Sequence, residues 1–127
     1  MALARAAERR VGSFNPQELA NTAWAFATAA QFDASLFTAL ARAAEQHLGN
    51  FKPQDVGNTA WAFAMLGQAD VQLFTALAGE AERRMCDFNP QNLANTAWAF
   101  ATLGQADAQL FMALARAAER RLGEFNA

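Results

Sequence analysis

The heptapeptide NTAWAFA, at residues 21–27, decides the fold because it returns unchanged at residues 58–64 and 95–101. Successive copies lie 37 residues apart, and the flanking sequence repeats with the same spacing along most of the 127-residue chain. Repeats with periods of about 20 to 50 residues are typical of solenoids, propellers and arrays. Each copy of the heptapeptide is therefore predicted to adopt one local structure and to form the same packing surface.

The composition favours helices over sheets. Hydrophobic residues make up 54% of the chain, and many of them are Ala, the strongest helix former. The β-branched residues are scarce, with three Val and no Ile, which argues against a sheet protein. The sequence predicts an all-α fold without a linker or a disordered tail.

Two helix-start signals recur in each unit. Asn15 can cap a helix, and Pro16 fits its first position, where a missing N–H costs nothing. A first helix is therefore predicted over residues 16–29. Asp33 can cap a second helix, predicted over residues 34–48.

The helix ends carry signals of their own. Gly67 and Gly104 follow two copies of the first helix, where a positive φ is favoured, and Ala30 stands there in the first unit. The start at Pro53 is weaker, because Lys52 replaces the capping Asn. Paired arginines suit the dipole at the C-terminal ends of the second helices. They are Arg9, Arg10, Arg83, Arg84, Arg120 and Arg121.

A hairpin of two such helices cannot bury its apolar stripe alone, whereas stacking on an identical neighbour buries it. The sequence therefore predicts an α-solenoid of stacked antiparallel helix hairpins with a 37-residue repeat. Residues 1–13 are predicted to form the second helix of a partial repeat. Full repeats are predicted at 14–50, 51–87 and 88–124, and a further repeat is predicted to start at 125–127.

Three tryptophans, Trp24, Trp61 and Trp98, lie at the edge of the apolar side of the first helices. We expect them to anchor the core, because large aromatic side chains dominate core energetics. The alternative is that they form stacking platforms for a ligand.

No set of residues in the sequence indicates an enzyme. There is no Ser/His/Asp set, no Gly-rich phosphate loop and no spaced cluster of metal ligands, and a site needs several convergent groups. His47 and Cys86 are interpreted as variant residues at helix ends. We expect no catalytic residue, no metal and no cofactor. No run of 18 apolar residues lacks charge, so no membrane span is expected.

The polar side of the first helices carries an Asn in every unit, at Asn21, Asn58 and Asn95. Asn is poor in a helix interior because it competes for backbone hydrogen bonds, so these residues are expected to have a task. One interpretation is an asparagine ladder that ties adjacent repeats together. The other is that the three side chains face a groove and bind a ligand.

Two positions differ in all three units, and both carry acids or amides. They are Glu18, Asp55 and Asn92 in the first turn of the first helix, and Asn50, Asp87 and Glu124 just before the next unit. Such side chains can read base edges, and modular RNA binders use one repeat per base. The alternative is that the first set interacts favourably with the helix dipole and that the second set varies because loop positions are under little constraint. Arg84 and Arg121 are candidate phosphate contacts.

Three motifs recur in the units: a Phe-x-Pro-Gln opening, the Leu-Ala-Asn-Thr-Ala-Trp-Ala-Phe-Ala core of the first helix, and an Asp-x-x-Leu-Phe start of the second. Together they resemble a helical-repeat family of algae, dinoflagellates and apicomplexans. Its relatives are the octotricopeptide and heptatricopeptide repeat proteins, which are often joined to a RAP domain. The 37-residue period fits the heptatricopeptide branch better.

This resemblance implies a non-enzymatic α-solenoid that binds single-stranded or ribosomal RNA in a chloroplast or mitochondrion. It would act in organellar RNA metabolism or as a small subunit of a ribonucleoprotein such as an organellar ribosome. Three units would cover only ~3 nucleotides, so we expect a longer array or a larger complex. Other protein chains are expected at the uncapped solenoid ends.

Two further observations bear on this expectation. No targeting peptide is visible, because residues 2–12 align with residues 39–49 of the repeat. The net charge of −2 and the pI near 5.3 favour the alternative function, a protein–protein interaction scaffold in a larger complex.

Overall fold

The computed structural model describes residues 2–104, 111–112 and 114–120 of the chain, and within these ranges it contains helices and turns but no strand. The helices are α1 (Ala2–Arg10), α2 (Pro16–Thr28), α3 (Ala34–His47), α4 (Pro53–Met65), α5 (Val71–Arg83) and α6 (Pro90–Thr102). Residues 111–112 and 114–120 are also helical. The prediction of an all-α fold is confirmed for these ranges.

Short 3₁₀ turns follow three of the helices, at Val11–Ser13, Leu48–Asn50 and Met85–Asp87. The second helix of the first unit therefore ends at His47, one residue before the predicted end, and tightens into a 3₁₀ turn. Such turns are frequent at helix ends. Each turn is followed by a Phe whose N–H donates to the carbonyl of the first residue of the turn. The Phe51 N–H, for example, donates to the Leu48 carbonyl at 3.0 Å.

The predicted helix caps are confirmed. The Asn15 side chain accepts from the Glu18 N–H at 2.8 Å, and the Glu18 carboxylate accepts from the Asn15 N–H at 2.8 Å, which is a capping box. Asp33 caps α3 by accepting from the Leu36 N–H at 3.0 Å. Lys52, as expected, provides no side-chain cap to α4.

The first helices end in a turn that needs a positive φ. After α2, the Gln31 N–H bonds the Phe26 carbonyl at 2.8 Å and the Ala30 N–H bonds the Ala27 carbonyl at 3.0 Å. This is the Schellman pattern, and it places Ala30 at φ 56°. Gly67 adopts φ 67° at the corresponding place, as its type predicts.

Five phenylalanines are the largest of the fully buried side chains among the described residues. They are Phe51, Phe63, Phe74, Phe88 and Phe100. Phe37 of α3 meets Phe63 of α4 edge-on, with ring centroids 5.0 Å apart. Phe74 of α5 meets Phe100 of α6 at the same separation. These pairs tie the second helix of one hairpin to the first helix of the next.

The helices lie in two rows that differ in packing. The first-helix row, α2, α4 and α6, is packed far more closely than the second-helix row, α1, α3 and α5. Small residues permit this, since a Cβ atom placed on Gly57 would lie 3.7 Å from the Cβ of Asn95. In solenoids the rotation between repeats produces a concave surface, and such proteins bind partners there. The arrangement is consistent with an α-solenoid.

Ion pairs link neighbours in the second-helix row. Arg42 of α3 lies 2.5 Å from the carboxylate of Asp70, the residue that caps α5. Arg5 of α1 pairs in the same way with Asp33, the cap of α3. Gly79 occupies the next corresponding position, so α5 has no such arginine. Among the described residues, no helix combines the length and apolar character needed to cross a membrane.

Candidate functional site

A polar cleft of about 310 Å³ lies between the N-terminal halves of α2 and α4, and we refer to it as the amide cleft. Four residues predicted from the sequence line it together: Asn21, Asn50, Asp55 and Asn58. They come from two helices and one turn, so the stacking of hairpins brings them into one site. Side-chain amides offer both hydrogen-bond donors and acceptors, which suits a polar ligand.

Sequence reasoning missed several other residues of the amide cleft. Asn15, Gln17, Lys52 and Gln54 also line it. Gln17 and Gln54 follow the helix-start prolines, and Gln91 holds the same place before α6. This recurrence is a sequence signal that points to these glutamines. Lys52 supplies positive charge where the capping Asn is lost.

The repeated asparagines have no hydrogen-bond partner for their side chains among the described residues. Asn21 is exposed, and Asn58 and Asn95 are half-buried. The interpretation as an asparagine ladder between repeats is therefore not supported in this part of the chain. Their amide groups remain available to a ligand in the groove.

The variable residue in the first turn of α2, α4 and α6 takes part in the N-terminal cap of its helix. The Glu18 carboxylate accepts from the Asn15 N–H, and the Asp55 carboxylate accepts from the Lys52 N–H at 3.0 Å. The Asn92 side chain holds the N–H of residue 89 in the same way, at 3.1 Å. Capping requires an acceptor here, which explains why acids and amides alternate. Base reading by these side chains stays a prediction.

The second variable position lies in the 3₁₀ turns. Asn50 and Asp87 are both exposed, each at the end of a turn, and Asn50 lines the amide cleft. The Asp87 N–H bonds the Arg84 carbonyl at 2.9 Å. Glu124 and Arg121 lie outside the described residues.

Arg84, a candidate phosphate contact, is already engaged inside the chain. Its guanidinium donates to the Phe51 carbonyl and lies 3.5 Å from the carboxylate of Glu80. Glu80 is only 3% exposed and also pairs with Arg83. Arg84 therefore ties α5 to the segment before α4. Phosphate binding by Arg84 stays a prediction. It would use the guanidinium N–H groups that do not bond the Phe51 carbonyl or Glu80.

The three tryptophans form a surface row, which we call the tryptophan row. The ring centroids of Trp24 and Trp61 lie 6.3 Å apart at an interplanar angle of 28°. Those of Trp61 and Trp98 lie 6.5 Å apart at 35°. Trp24 is 45% exposed and Trp98 is 44% exposed. The expectation that they anchor the core is wrong for these two exposed residues, whereas Trp61 is partly buried and packs against the core.

Asn and Trp share one face of each first helix. Trp24 follows Asn21 by three residues, as Trp61 follows Asn58, and residues at this spacing are neighbours on a helix surface. The exposed or half-buried residues of this face are Gln17, Asn21, Trp24 and Thr28 on α2, Gln54, Asn58, Trp61 and Met65 on α4, and Gln91, Asn95, Trp98 and Thr102 on α6. We call this neutral surface the Asn–Trp face.

No group of three or more His, Cys, Asp or Glu side chains that could hold a metal ion occurs in the described part of the chain. The two groups whose pKa values are shifted, Asp33 and Arg5, are not among the residues that line the amide cleft. The pKa of Asp33 is lowered by the hydrogen bond from the Leu36 N–H and then by Arg5. The pKa of Arg5 is raised mainly by its hydrogen bond to Asp33. These shifts belong to the cap of α3.

Comparison with known proteins gives one family match. A family model described as RNA-editing substrate-binding complex 6 protein (RESC6) matches residues 2–127. No curated protein and no solved structure matches the chain. The matching family belongs to RNA metabolism, as the sequence resemblance implied, but it is not the octotricopeptide or heptatricopeptide family that the motifs suggested.

Proposed function

The chain belongs to the RNA-editing substrate-binding complex 6 protein family, and we propose that it is a non-enzymatic subunit that binds single-stranded RNA. The proposal includes the finer architecture, an α-solenoid of 37-residue units at residues 14–50, 51–87 and 88–124 with partial units on either side. RNA would lie along the first-helix row.

The observation that carries the proposal is the amide cleft. Asn21 and Asn58 present unpaired side-chain amides on two neighbouring helices, and Gln17 and Gln54 extend the same lining. An unpaired amide loses its contacts with water when it is covered, so a partner must supply matching donors and acceptors. The edges of RNA bases do so, and single-stranded RNA leaves them accessible.

The charge distribution predicts modest electrostatic attraction. Among the described residues that line the amide cleft, Lys52 is the one cation and Asp55 the one carboxylate, and the whole chain has a net charge of −2. In single strands each neutralised phosphate adds about −0.7 to the slope of log affinity against log salt. We therefore expect a shallow slope, with Arg84 and Arg121 as further phosphate contacts.

The second candidate function is a protein–protein interaction scaffold. The acidic pI near 5.3 favours it, and the family description names a complex, so protein partners are part of either proposal. A chloroplast or mitochondrial location is proposed from the sequence resemblance. If the chain is a scaffold without RNA contacts, it should not bind RNA at any salt concentration.

Binding to a random single-stranded RNA, measured at several salt concentrations, tests the proposal. Replacing both Asn21 and Asn58 by Ala should weaken binding by about tenfold, since each lost hydrogen bond contributes about 0.5–1.5 kcal/mol. Ala is a better helix former than Asn, so both replacements should leave the fold intact. Gln46→Ala, which removes an exposed amide from α3, is the control and should leave binding unchanged. Equal affinities of all three proteins contradict the proposal.

A further inference from the structure

We propose that the tryptophan row is a base-stacking site, in which single-stranded RNA inserts one base between Trp24 and Trp61 and one between Trp61 and Trp98. This inference rests on the proposed function and names the surface and the chemical contact that it uses. The amide cleft alone offers hydrogen bonds, whereas the tryptophan row offers aromatic faces.

The arrangement of the rings suits stacking. Adjacent centroids lie 6.3 and 6.5 Å apart, within the range of about 4.5–7 Å for aromatic pairs. The rings are within 28° and 35° of parallel. A flat group held between two parallel rings needs about 6.8 Å between the ring planes, which is twice the ~3.4 Å rise of stacked bases. Because a centroid separation includes the lateral offset of the rings, a base enters when the tryptophan side chains move apart.

The exposure of the rings supports ligand access. Trp24 and Trp98 are 45% and 44% exposed, and Trp61 between them is half-buried. Large aromatic side chains in the same helices are fully buried when they serve the core, as Phe63 and Phe100 are. The tryptophans therefore contribute area that the described fold leaves uncovered.

The neighbouring amides favour a nucleobase over an apolar partner. Asn58 lies one helical turn before Trp61, and its side chain has no partner among the described residues. Asn95 and Trp98 repeat this pairing on α6. A base presents a flat face and a hydrogen-bonding edge at once. An apolar partner would cover the amides without satisfying them, which is unfavourable.

The charge of the surface is compatible with RNA. The residues of the Asn–Trp face are neutral, whereas Glu18 is exposed elsewhere on α2 and Asp55 lines the adjoining amide cleft. An extended peptide could also follow the row, but the family description names RNA editing. Single-stranded RNA is therefore the occupant that the observations favour.

The intrinsic fluorescence of the three tryptophans, titrated with an oligouridylate of eight nucleotides, tests the inference directly. An abasic ribose-phosphate oligomer of the same length is the reference ligand. Stacking predicts quenching by the oligouridylate and binding at least about tenfold tighter than that of the abasic oligomer, because base–aromatic stacking contributes strongly for each base. Equal binding of the two oligomers overturns the stacking inference but leaves RNA binding by the amide cleft in place.

Variants separate stacking from other roles of the rings. Trp61→Leu should weaken oligouridylate binding by about tenfold or more and leave binding of the abasic oligomer unchanged. Trp24→Leu, at the exposed end of the row, keeps the test possible if Trp61→Leu fails to fold. Phe32→Leu is the control, since Phe32 is 44% exposed but lies in the turn after α2. Equal oligouridylate affinities of Trp24→Leu and Phe32→Leu overturn the inference.

Competition identifies a different occupant. A random extended peptide without Trp is added to the complex with oligouridylate. If the peptide alone quenches the tryptophans and displaces the oligomer, the tryptophan row is a protein interface and the stacking inference is wrong. If no RNA binds at any salt concentration, the proposed function fails as well.

Discussion

Ala30 adopts a backbone conformation that suits glycine. Its φ is 56°, a value reached by no other non-glycine residue in the described part of the chain, whereas Gly67 and Gly104 have φ 67° at the corresponding places. A left-handed conformation costs an L-residue about 1–2 kcal/mol. The unit-to-unit comparison of sequence showed the odd residue, and the structure shows that the turn is kept despite it.

Replacing Ala30 by Gly should therefore raise the free energy of unfolding by about 1 kcal/mol, after allowing for the greater chain entropy of Gly. Ala29→Gly is the matched control, because Ala29 has φ −81° and gains nothing from Gly. Urea denaturation followed by circular dichroism measures both. A decrease in stability for Ala30→Gly would show that the turn adopts another conformation.

The cap of α3 should be sensitive to acid. Asp33 accepts from the Leu36 N–H and pairs with Arg5, and both contacts lower the pKa of its carboxyl. The charged form is thus favoured in the folded state, so its contribution to stability is present at neutral pH. It is lost as the pH falls below about 3.9, the ordinary value of an Asp, and through the lower folded pKa.

A carboxyl-detected NMR titration measures this pKa. Asp33 should titrate below the ordinary Asp range, and Arg5→Ala should move its pKa back toward that range. The hydrogen bond from the Leu36 N–H should keep the pKa of the variant somewhat lowered. Titration of wild-type Asp33 at or above the ordinary value would contradict the ion pair and the cap.

At the scale of the helices, α4 and α6 approach closely at Gly57. A Cβ atom there would lie 3.7 Å from the Asn92 carbonyl, the Asn95 Cβ and the Thr96 Oγ1, which are ordinary contact distances. Gly57→Ala should therefore fit and stabilise the protein by about 1 kcal/mol through helix propensity. Gly57→Leu, the contrasting variant, should destabilise it by about 1–3 kcal/mol through overpacking. Thermal unfolding measures both, and destabilisation by Ala would mean that the helices lie closer.

The tie between α5 and the segment before α4 depends on Arg84. Arg84→Ala leaves the Phe51 carbonyl without its donor and weakens the neutralisation of the buried Glu80. The expected loss is about 1–3 kcal/mol. Arg10→Ala, at the corresponding place at the end of α1, is the control, because Arg10 is exposed and its side chain has no hydrogen bond or ion pair among the described residues. Similar losses of unfolding free energy for the two variants would contradict this assignment.

Helix boundaries could be predicted from the sequence because their causes are local. Asn15 and Asp33 cap within three residues, so the starts of α2 and α3 were found directly. The alignment of the tryptophans and the Arg84 contact could not be predicted. Helical periodicity indicates which side of a helix is apolar, but not how closely the neighbouring helix approaches. That distance is set by small residues such as Gly57 on another repeat.

At the scale of the whole molecule, the two rows of helices differ in their packing and in the surfaces that they carry. The tightly packed first-helix row carries the amide cleft and the tryptophan row, whereas ion pairs such as Arg42–Asp70 join the second-helix row. The stacking of hairpins was predictable, since one hairpin cannot bury its apolar stripe. The amide cleft was predictable only in part, because Lys52 reaches it through packing that no local pattern specifies.

The central claim is that RNA binds along the first-helix row, and ultraviolet crosslinking tests it most directly. The chain is irradiated in complex with a random single-stranded RNA containing 4-thiouridine, and the crosslinked peptides are identified by mass spectrometry. The account predicts crosslinks in α2, α4 and α6, centred on Asn58 and Trp61. Crosslinks confined to α3 and α5, or the absence of any crosslink at low salt, would contradict it.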